Sequence, residues 1–348
     1  MMKSSRPFSL HIALADKYME DKILKDLKLE DFDQIQRNSD RLEESAKENT
    51  SYFKDAWRRL KSNKIAIVSL LVIFLFILFS FVGPMISSYS YAEQIRGDEN
   101  LAPCFKHPFG TDNLGRDILV RCMVGARISM VIGIGASVIV LIIGSIYGAV
   151  SGLLGGVVDN VMMRIVELIY SLPDILIIIL LSIVIEEPLK KAFDHGNFLG
   201  VLQKLGPGIV AIFIVYGLLY WVGMARIVRG QVLQIKQMEY VTAAVALGAS
   251  KLRLIRKHLL PNCVGQLVVT TMLQIPSAIF TEAFLSFLGL GVSAPMASLG
   301  SLAAESLNGI QSYPYRLVFP SLAISIIILA FNLFGDGLRD ALDPKMKK

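Results

Sequence analysis

The sequence has 348 residues, of which 53% are hydrophobic and only 18% are charged, and its mean hydropathy is +0.55. Soluble proteins have about 45–50% apolar and about 25% charged residues, so the composition argues against a single soluble globular domain. Three cysteines exclude a disulfide-stapled scaffold. The formal charge of +6 fits either a nucleic-acid binder or a membrane protein with basic loops, and the distribution of the charge decides between them.

The chain begins with two polar segments. Residues 1–50 carry dense mixed charge, which predicts a solvated, partly disordered extension, with some helix as the alternative. In residues 51–64, Phe53, Ala56 and Leu60 recur at the spacing of one helical face, together with Trp57. Lysines and arginines occupy much of the remaining surface. The pattern predicts an amphipathic helix on the membrane surface, and a plain basic flank is the alternative.

Six stretches are long and apolar enough to cross a membrane, since a transmembrane helix needs about 20 mostly apolar residues. Because backbone groups cannot stay unpaired in lipid, each stretch is expected to be helical. The stretches are residues 65–87, 128–152, 164–185, 208–226, 267–291 and 317–335. Pro173 is expected to bend the third stretch and Pro276 the fifth. The predicted fold class is an all-α polytopic membrane protein with a five-helix core at 128–338.

The positions of lysine and arginine predict the orientation. With the amino terminus in the cytosol, the inner segments carry 26 basic residues and the outer segments carry 9. Such an excess on the cytosolic side follows the positive-inside rule. Both termini, including the tail at 339–348, are therefore predicted to be cytosolic. The basic charge then needs no nucleic-acid partner to explain it.

The predicted outer loop spans residues 88–127. Gly110, Gly115 and Gly125 stand there among Asp and Arg residues, which predicts tight, ordered turns. Cys104 and Cys122 both fall in this loop, and the sequence leaves open whether they pair.

The most informative segment lies between the fourth and fifth stretches, in the basic loop 230–266. Residues 239–247 have the composition of a short helix, Gly248 supplies the left-handed stop of helix C-termini, and Ser250 is suited to cap a second helix. Pro261 is expected to end that second helix. Two short helices with a glycine bend indicate a docking element for another protein, whereas the alternative is a long basic loop.

Two charged features fall within the predicted spans. An ionised carboxylate at the depth of Glu282 costs about 2.5–3.5 kcal/mol, so its side chain must face the bundle interior or water. It is predicted either to line a translocation pathway, meeting a cargo amino group, or to link spans by hydrogen bonds; the second role is favoured. Arg164 and Glu167, three residues apart, predict an ion pair.

The loop EYVTAAVALGASKLRLIRKHLLPN resembles the cytosolic signature of permease subunits of binding-protein-dependent ABC importers. The family pattern is Glu-Ala-Ala, three residues, Gly, nine residues, Ile, one residue, Leu-Pro. The positions that fit this pattern are Ala243, Ala244, Gly248, Leu260 and Pro261. Thr242 stands where the family most often has Glu, and His258 stands where it has Ile.

Five further segments narrow the resemblance to the peptide branch and its C-type subunit, which serves dipeptide, oligopeptide, nickel and glutathione importers. In chain order they are AWRRLKSNKIAIVSL, HPFGTDNLGRDILVR, YSLPDIL, EAFLSFLGLGV and GDGLRDALDPK. They extend from about residue 52 to 345 and leave the first 50 residues uncovered. Leu299 stands where the family often has Trp. The resemblance implies the type I ABC importer (MetI-like) permease fold.

The resemblance also implies function and partners. The chain would form the channel of an ATP-driven importer of di- or oligopeptides in the cytoplasmic membrane of a prokaryote, with nickel or glutathione as alternative cargo. Its partners would be a homologous second permease subunit, two ATP-binding subunits and an extracytoplasmic peptide-binding protein. The residues implied to couple it to the ATP-binding subunits are Tyr240, Thr242, Ala243, Ala244, Leu247, Gly248, Ala249, Leu260 and Pro261.

No catalytic residue, cofactor or metal site is predicted on this chain. The sequence lacks the G-x-x-x-x-G-K-[ST] loop that cradles phosphates, so ATP and Mg²⁺ would bind to the partner subunits. The four histidines are scattered over different segments. A secondary transporter is the first rival, but such proteins place ion sites on both halves, and Glu282 is the single deeply placed carboxylate here. A membrane-embedded enzyme, the second rival, would need converging polar residues near a span end.

Overall fold

A computed structural model describes residues 52–194, 206–292 and 296–342. The extension predicted at 1–50 and most of the predicted tail lie outside these ranges. Within them the chain is helical, and the β-structure is limited to one isolated antiparallel bridge between Thr111 and Asp117. The all-α fold class is confirmed.

We number the α-helices of the described ranges in chain order. They are α1 (Tyr52–Ser62), α2 (Lys64–Phe81), α3 (Gly83–Ile86), α4 (Ile118–Leu154), α5 (Gly156–Tyr170), α6 (Asp174–Asp194), α7 (Pro207–Leu219), α8 (Trp221–Ile235), α9 (Glu239–Ala246), α10 (Lys251–Arg253), α11 (Leu260–Phe287), α12 (Leu299–Ser306) and α13 (Tyr315–Leu342). A π-helical turn at Leu254–Leu259 joins α10 to α11, and a 3-10 turn at Leu307–Gly309 follows α12.

Five segments of the described chain are long and apolar enough to cross a membrane. They are Lys64–Ile86, Ile118–Leu154, Pro207–Ile235, Lys251–Phe287 and Tyr315–Leu342. A sixth exists if α5 and α6, which meet at 87°, are counted as one broken span. The number therefore agrees with the predicted six on that condition.

The two intramembrane prolines behave differently. The bend predicted at Pro173 is a complete break, because proline lacks an N–H and disfavours a helical backbone in the residue before it. Pro276, where a bend was predicted, lies inside α11, and the helix is not broken there. Neighbouring helices and hydroxyl side chains allow such prolines inside membrane helices.

The second span starts earlier than predicted. Helix α4 begins at Ile118 rather than at residue 128, so the predicted loop 88–127 is helical in its last part. Hydropathy placed the boundary too late because Arg121 and Arg127 interrupt the apolar run. In the fold both arginines have polar partners. Arg121 Nη1 lies 2.6 Å from Asp112 Oδ2, and Arg127 Nε donates to the Ser80 carbonyl at 3.0 Å.

Helix α1 occupies most of the predicted amphipathic segment and packs on the ends of the bundle. Ala56 clusters with Leu342, and Leu60 clusters with Ala341, so the last residues of α13 cover one face of α1. Trp57 is 49% exposed, with the Lys61 ammonium 5.4 Å from its ring centroid. The predicted apolar face is therefore divided between the bundle and the surroundings. Because α13 reaches Leu342, part of the predicted tail at 339–348 is also helical.

Helices α4 and α8 approach each other most closely along a glycine stripe. Gly144, Gly148 and Gly152 lie one turn apart on α4 and face α8, and a Cβ atom at Gly148 would clash with the carbonyl oxygen of Ala225. In lipid there is no hydrophobic drive between helices, so close backbone approach through small residues is what holds them together. The stripe therefore fixes the centre of the bundle.

Polar contacts extend this pairing to α5. The Arg229 guanidinium on α8 binds both carboxylate oxygens of Asp159 on α5, at 2.6 Å each. The Lys236 ammonium caps α4 by donating to the Leu153 carbonyl at 2.7 Å. The end of α4, the start of α5 and the end of α8 thus form one rigid corner.

We predict that Gly148→Ala destabilises the protein, because the added methyl group has no room against the α8 backbone. Overpacking of this kind costs about 1–3 kcal/mol. The measurement is the thermal unfolding temperature of the purified protein in detergent. Gly230→Ala is the matched control, since it makes the same change on α8 where a Cβ meets nothing within 4 Å. Equal unfolding temperatures for the two variants would contradict the close contact.

Candidate functional site

Helix α9 ends in a fully formed glycine cap. The N–H of Ala249 donates to the Ala244 carbonyl at 3.0 Å, and the N–H of Gly248 donates to the Val245 carbonyl at 2.9 Å. Gly248 has φ = +80°, the left-handed conformation that glycine adopts without steric cost. The left-handed stop predicted at Gly248 is confirmed.

The second half of the loop differs from its prediction at one point. Ser250 caps α10 as expected, its hydroxyl accepting from the N–H of Arg253 at 3.4 Å. Pro261 does not end this helical segment; it is the second residue of α11, directly after the π-helical turn. The π-helical turn carries the chain directly from α10 into α11. The predicted second short helix and the fifth span are consequently one continuous rod, Lys251–Phe287.

Val241 anchors α9 to the bundle. Its side chain is 1% exposed and belongs to the main core cluster together with Leu254, Leu259 and Cys263. This anchoring role was not predicted from the sequence. The available signal was that Val241 is apolar and β-branched and lies three positions before the partly buried Ala244. The contact fixes α9 against the start of the rod.

Several apolar side chains in and around α9 are exposed. Leu247, at its carboxyl end, is 89% exposed. We call these residues the α9 surface: Met238, Tyr240, Val245, Leu247 and Leu252. A group of exposed apolar side chains of this kind suits a surface that another molecule covers.

The nine residues implied as coupling residues divide by exposure. Ala244, Ala249 and Leu260 are partly buried against the main core. The exposed ones are Tyr240, Thr242, Ala243, Leu247, Gly248 and Pro261. The structure gathers the first seven in the chain around α9 and its cap, while Leu260 and Pro261 lie at the start of α11. The Tyr240 ring, with its centroid 6.5 Å from that of His258, faces the π-helical turn.

Glu282 is fully buried within the chain. The Ser129 hydroxyl on α4 donates to its Oε2 at 2.6 Å, and the Ser286 hydroxyl donates to its Oε1 at 2.7 Å. The Ser286 oxygen in turn accepts from the N–H of Val292 at 3.2 Å. This is the geometry of a link between α11 and α4, and it gives the carboxylate no exposed surface.

The loop before α4 is ordered by charges and turns. Gly110 and Gly115 both have positive φ, as the predicted tight turns require. The turn predicted at Gly125 is wrong, because this residue lies inside α4. Lys106 Nζ lies 2.6 Å from Asp98 Oδ2, and this contact holds the pKa of Asp98 below its usual value. His107 Nδ1 lies 2.7 Å from Asp117 Oδ2 at the start of α4.

Two pairs of residues singled out in the sequence have definite outcomes. Cys104 and Cys122 are both free thiols. The Arg164–Glu167 ion pair is present at 3.0 Å. Within the described ranges, no three His, Cys, Asp or Glu side chains come together as a metal site would require.

Two family models match this chain. A family model described as "Binding-protein-dependent transport system inner membrane component" matches residues 144–348. Another, described as "N-terminal TM domain of oligopeptide transport permease C", matches residues 51–103.

Individual relatives cover nearly the whole chain. The oligopeptide transport system permease protein OppC of Bacillus subtilis is 45% identical over 91% of this chain and 97% of its own length. The dipeptide transport system permease protein DppC of the same organism is 45% identical over 86% of this chain and 87% of its own. The OppC protein of Salmonella typhimurium is 40% identical over 89% and 98%, respectively.

We predict that Glu282→Ala and Glu282→Gln differ in stability. Alanine leaves the hydroxyls of Ser129 and Ser286 without an acceptor in a buried site, which costs about 1–3 kcal/mol. Glutamine keeps one acceptor and adds a donor, so it is expected to preserve most of the link. Thermal unfolding in detergent measures both variants. A Glu282→Ala protein as stable as the wild type would refute the interhelical link.

Proposed function

Since the chain belongs to the family of binding-protein-dependent transport system inner membrane components, we propose that it is a membrane-spanning subunit of an ATP-driven importer of di- and oligopeptides. The observation that carries the proposal is the α9 surface, a group of exposed apolar residues centred on a short helix that lies outside the spans and is anchored to the core through Val241. Such a surface suits a contact with another protein. The names of its relatives support peptides as the cargo.

The proposed partners supply what this chain lacks. Two ATP-binding subunits bind and hydrolyse ATP with Mg²⁺, and one of them receives the α9 surface in a groove. A homologous second permease subunit completes the channel, and an extracytoplasmic binding protein delivers the peptide. This chain itself carries out no catalysis and binds no cofactor.

Rigid connections on both sides of α9 support a coupling role. Val241 ties α9 to the core, and the glycine cap at Gly248 fixes the angle at which the rod Lys251–Phe287 begins. A push on α9 is therefore transmitted to α11 without being absorbed by a flexible loop. Alternating access follows if the two permease subunits rock against each other when the ATP-binding subunits close.

The location follows from the same assignment. The protein lies in the inner membrane of a prokaryote as a multi-pass subunit, with α9 and both termini in the cytosol. The excess of lysine and arginine in the segments assigned to that side supports this orientation.

Glu282 has a structural role in this proposal. It ties α11, which receives the push from α9, to α4 at the centre of the bundle. A carboxylate enclosed by two serine hydroxyls has no face with which to meet cargo, so the pathway role weighed for it in the sequence is set aside.

We predict that Gly248→Asp and Leu247→Asp abolish ATP-dependent peptide uptake while the protein remains inserted and folded. Both place a charge in the contact that the α9 surface makes with an ATP-binding subunit. Gly248→Asp also strains the left-handed turn, whereas Leu247→Asp changes an 89% exposed side chain without strain. Uptake of a radiolabelled tripeptide into membrane vesicles containing all subunits, with and without ATP, is the measurement.

The control for added charge is Asn160→Asp, an exposed position in the first turns of α5 where an acidic residue suits the helix. It is expected to transport at the wild-type rate. Full uptake by Leu247→Asp would contradict the coupling surface. Wild-type uptake driven by a proton gradient without ATP-binding subunits would point to a secondary transporter. Uptake of nickel or glutathione in place of peptides would show that the cargo assignment is wrong.

A further inference from the structure

A carboxylate stands at the break between α5 and α6. Residues 171–173 separate the two helices, and Asp174 is the first residue of α6. Its depth is close to the middle of the bundle, because it lines one cavity together with Pro276 and Asn332. Each of these two residues lies near the middle of a 28-residue helix.

Two cavities open on either side of this carboxylate. One, of about 480 Å³, lies between α6, α11 and α13, and the other, of about 490 Å³, lies between the helix break, α8 and α11. Asp174 and Tyr220 line both cavities. Each volume falls in the range of sites that bind small molecules, about 300–1,000 Å³.

Asp174 is exposed and only partly satisfied. Its Oδ1 accepts from the N–H of Ile175 at 2.9 Å, and within the described ranges it forms no ion pair. A charged side chain facing hydrocarbon at this depth costs about 2.5–3.5 kcal/mol. The carboxylate must therefore face water or a cation.

Tyr220 is held in place beside the carboxylate. Its ring stacks on that of Tyr216 with centroids 4.3 Å apart, and its hydroxyl lies 3.3 Å from Thr281 Oγ1. The rest of the lining mixes apolar side chains with a few amides and hydroxyls. The polar ones are Tyr170, Gln274, Ser277, Thr281 and Asn332.

We propose that these cavities form part of the cargo route and that Asp174 receives the N-terminal ammonium group of the peptide as it passes the helix break. The inference rests on the proposed function, and it names the contact that this chain makes with its cargo. The free Oδ2 accepts an N–H of the ammonium, and the Tyr220 ring offers its face to the same cation. The Tyr220 hydroxyl is a donor for a peptide carbonyl.

The negative charge of Asp174 favours the ammonium end of the peptide over its carboxylate end. A bare helix N-terminus attracts anions, but at α6 the Asp174 carboxylate already occupies that position, and the helix dipole stabilises its negative charge. The ligand that completes the site is therefore a cation rather than the peptide carboxylate. An ammonium group is common to unmodified peptides of every sequence, so this contact is compatible with cargo of varied side chains.

The test compares two peptides in the complete importer reconstituted in liposomes. Trialanine has a free ammonium group and N-acetyl-trialanine lacks it, and the ratio of their ATP-dependent uptake rates is measured for each variant. The binding protein is the same throughout, so its own preference cancels when the ratios are compared. Asp174→Asn is expected to lower the ratio about tenfold, equivalent to 1.4 kcal/mol. Asp174→Glu is expected to keep most of it.

Glu187→Gln is the matched control, because it removes one exposed carboxylate from the same helix, α6, far from the cavities. An unchanged ratio in Asp174→Asn overturns the inference, as does an equal loss of both peptides. Failure of Asp174→Asn to copurify with the second permease subunit overturns it as well, since Asp174 would then pair with a basic residue of that subunit. If the wild type takes up neither peptide with ATP, the proposed function itself has failed.

Discussion

The close approach of α4 and α8 is the constraint on which the rest of the bundle depends. In lipid, helices are held by packing and by interhelical polar contacts, and the stripe of Gly144, Gly148 and Gly152 lets the two backbones meet directly. Once α4 and α8 are in register, the Arg229–Asp159 pair sets the start of α5. The chain that leads from α8 to α9 then starts at a fixed position. The contact between α4 and α8 therefore helps to set where the α9 surface lies.

Buried charged side chains also connect separate parts of the bundle. Arg121 is buried and pairs with Asp112 and with the partly exposed Glu305. Glu282 is buried and accepts from two serines, so each of these two buried side chains is tied to another part of the chain. Asp174 stands apart because it is exposed at the break of a span. Broken helices are tolerated at this depth where they line a cavity, and both cavities at Asp174 meet that condition.

Much of the fold follows from the sequence because apolar runs of span length are a local signal. The errors arise where the deciding partner is distant in the chain. The start of α4 was placed late because the carboxylate of Glu305, which pairs with Arg121, is invisible to hydropathy. Pro261 suits both the end of one helix and the first turn of another, and only the π-helical turn decides between them.

In the candidate functional site, too, features set by neighbouring residues were predicted and features set by distant contacts were not. Gly248 and Ser250 were predicted correctly because caps depend on neighbouring residues. Val241 was missed. Asp174 was overlooked because Glu282 was taken as the single deeply placed carboxylate, whereas depth and burial are properties of the tertiary structure.

The packing of α1 has a consequence for biosynthesis. Leu60 clusters with Ala341, which the ribosome adds roughly 280 residues later, or about 15–60 s at 5–20 residues per second. The contact between Leu60 and Ala341 therefore cannot form until the last span has been made.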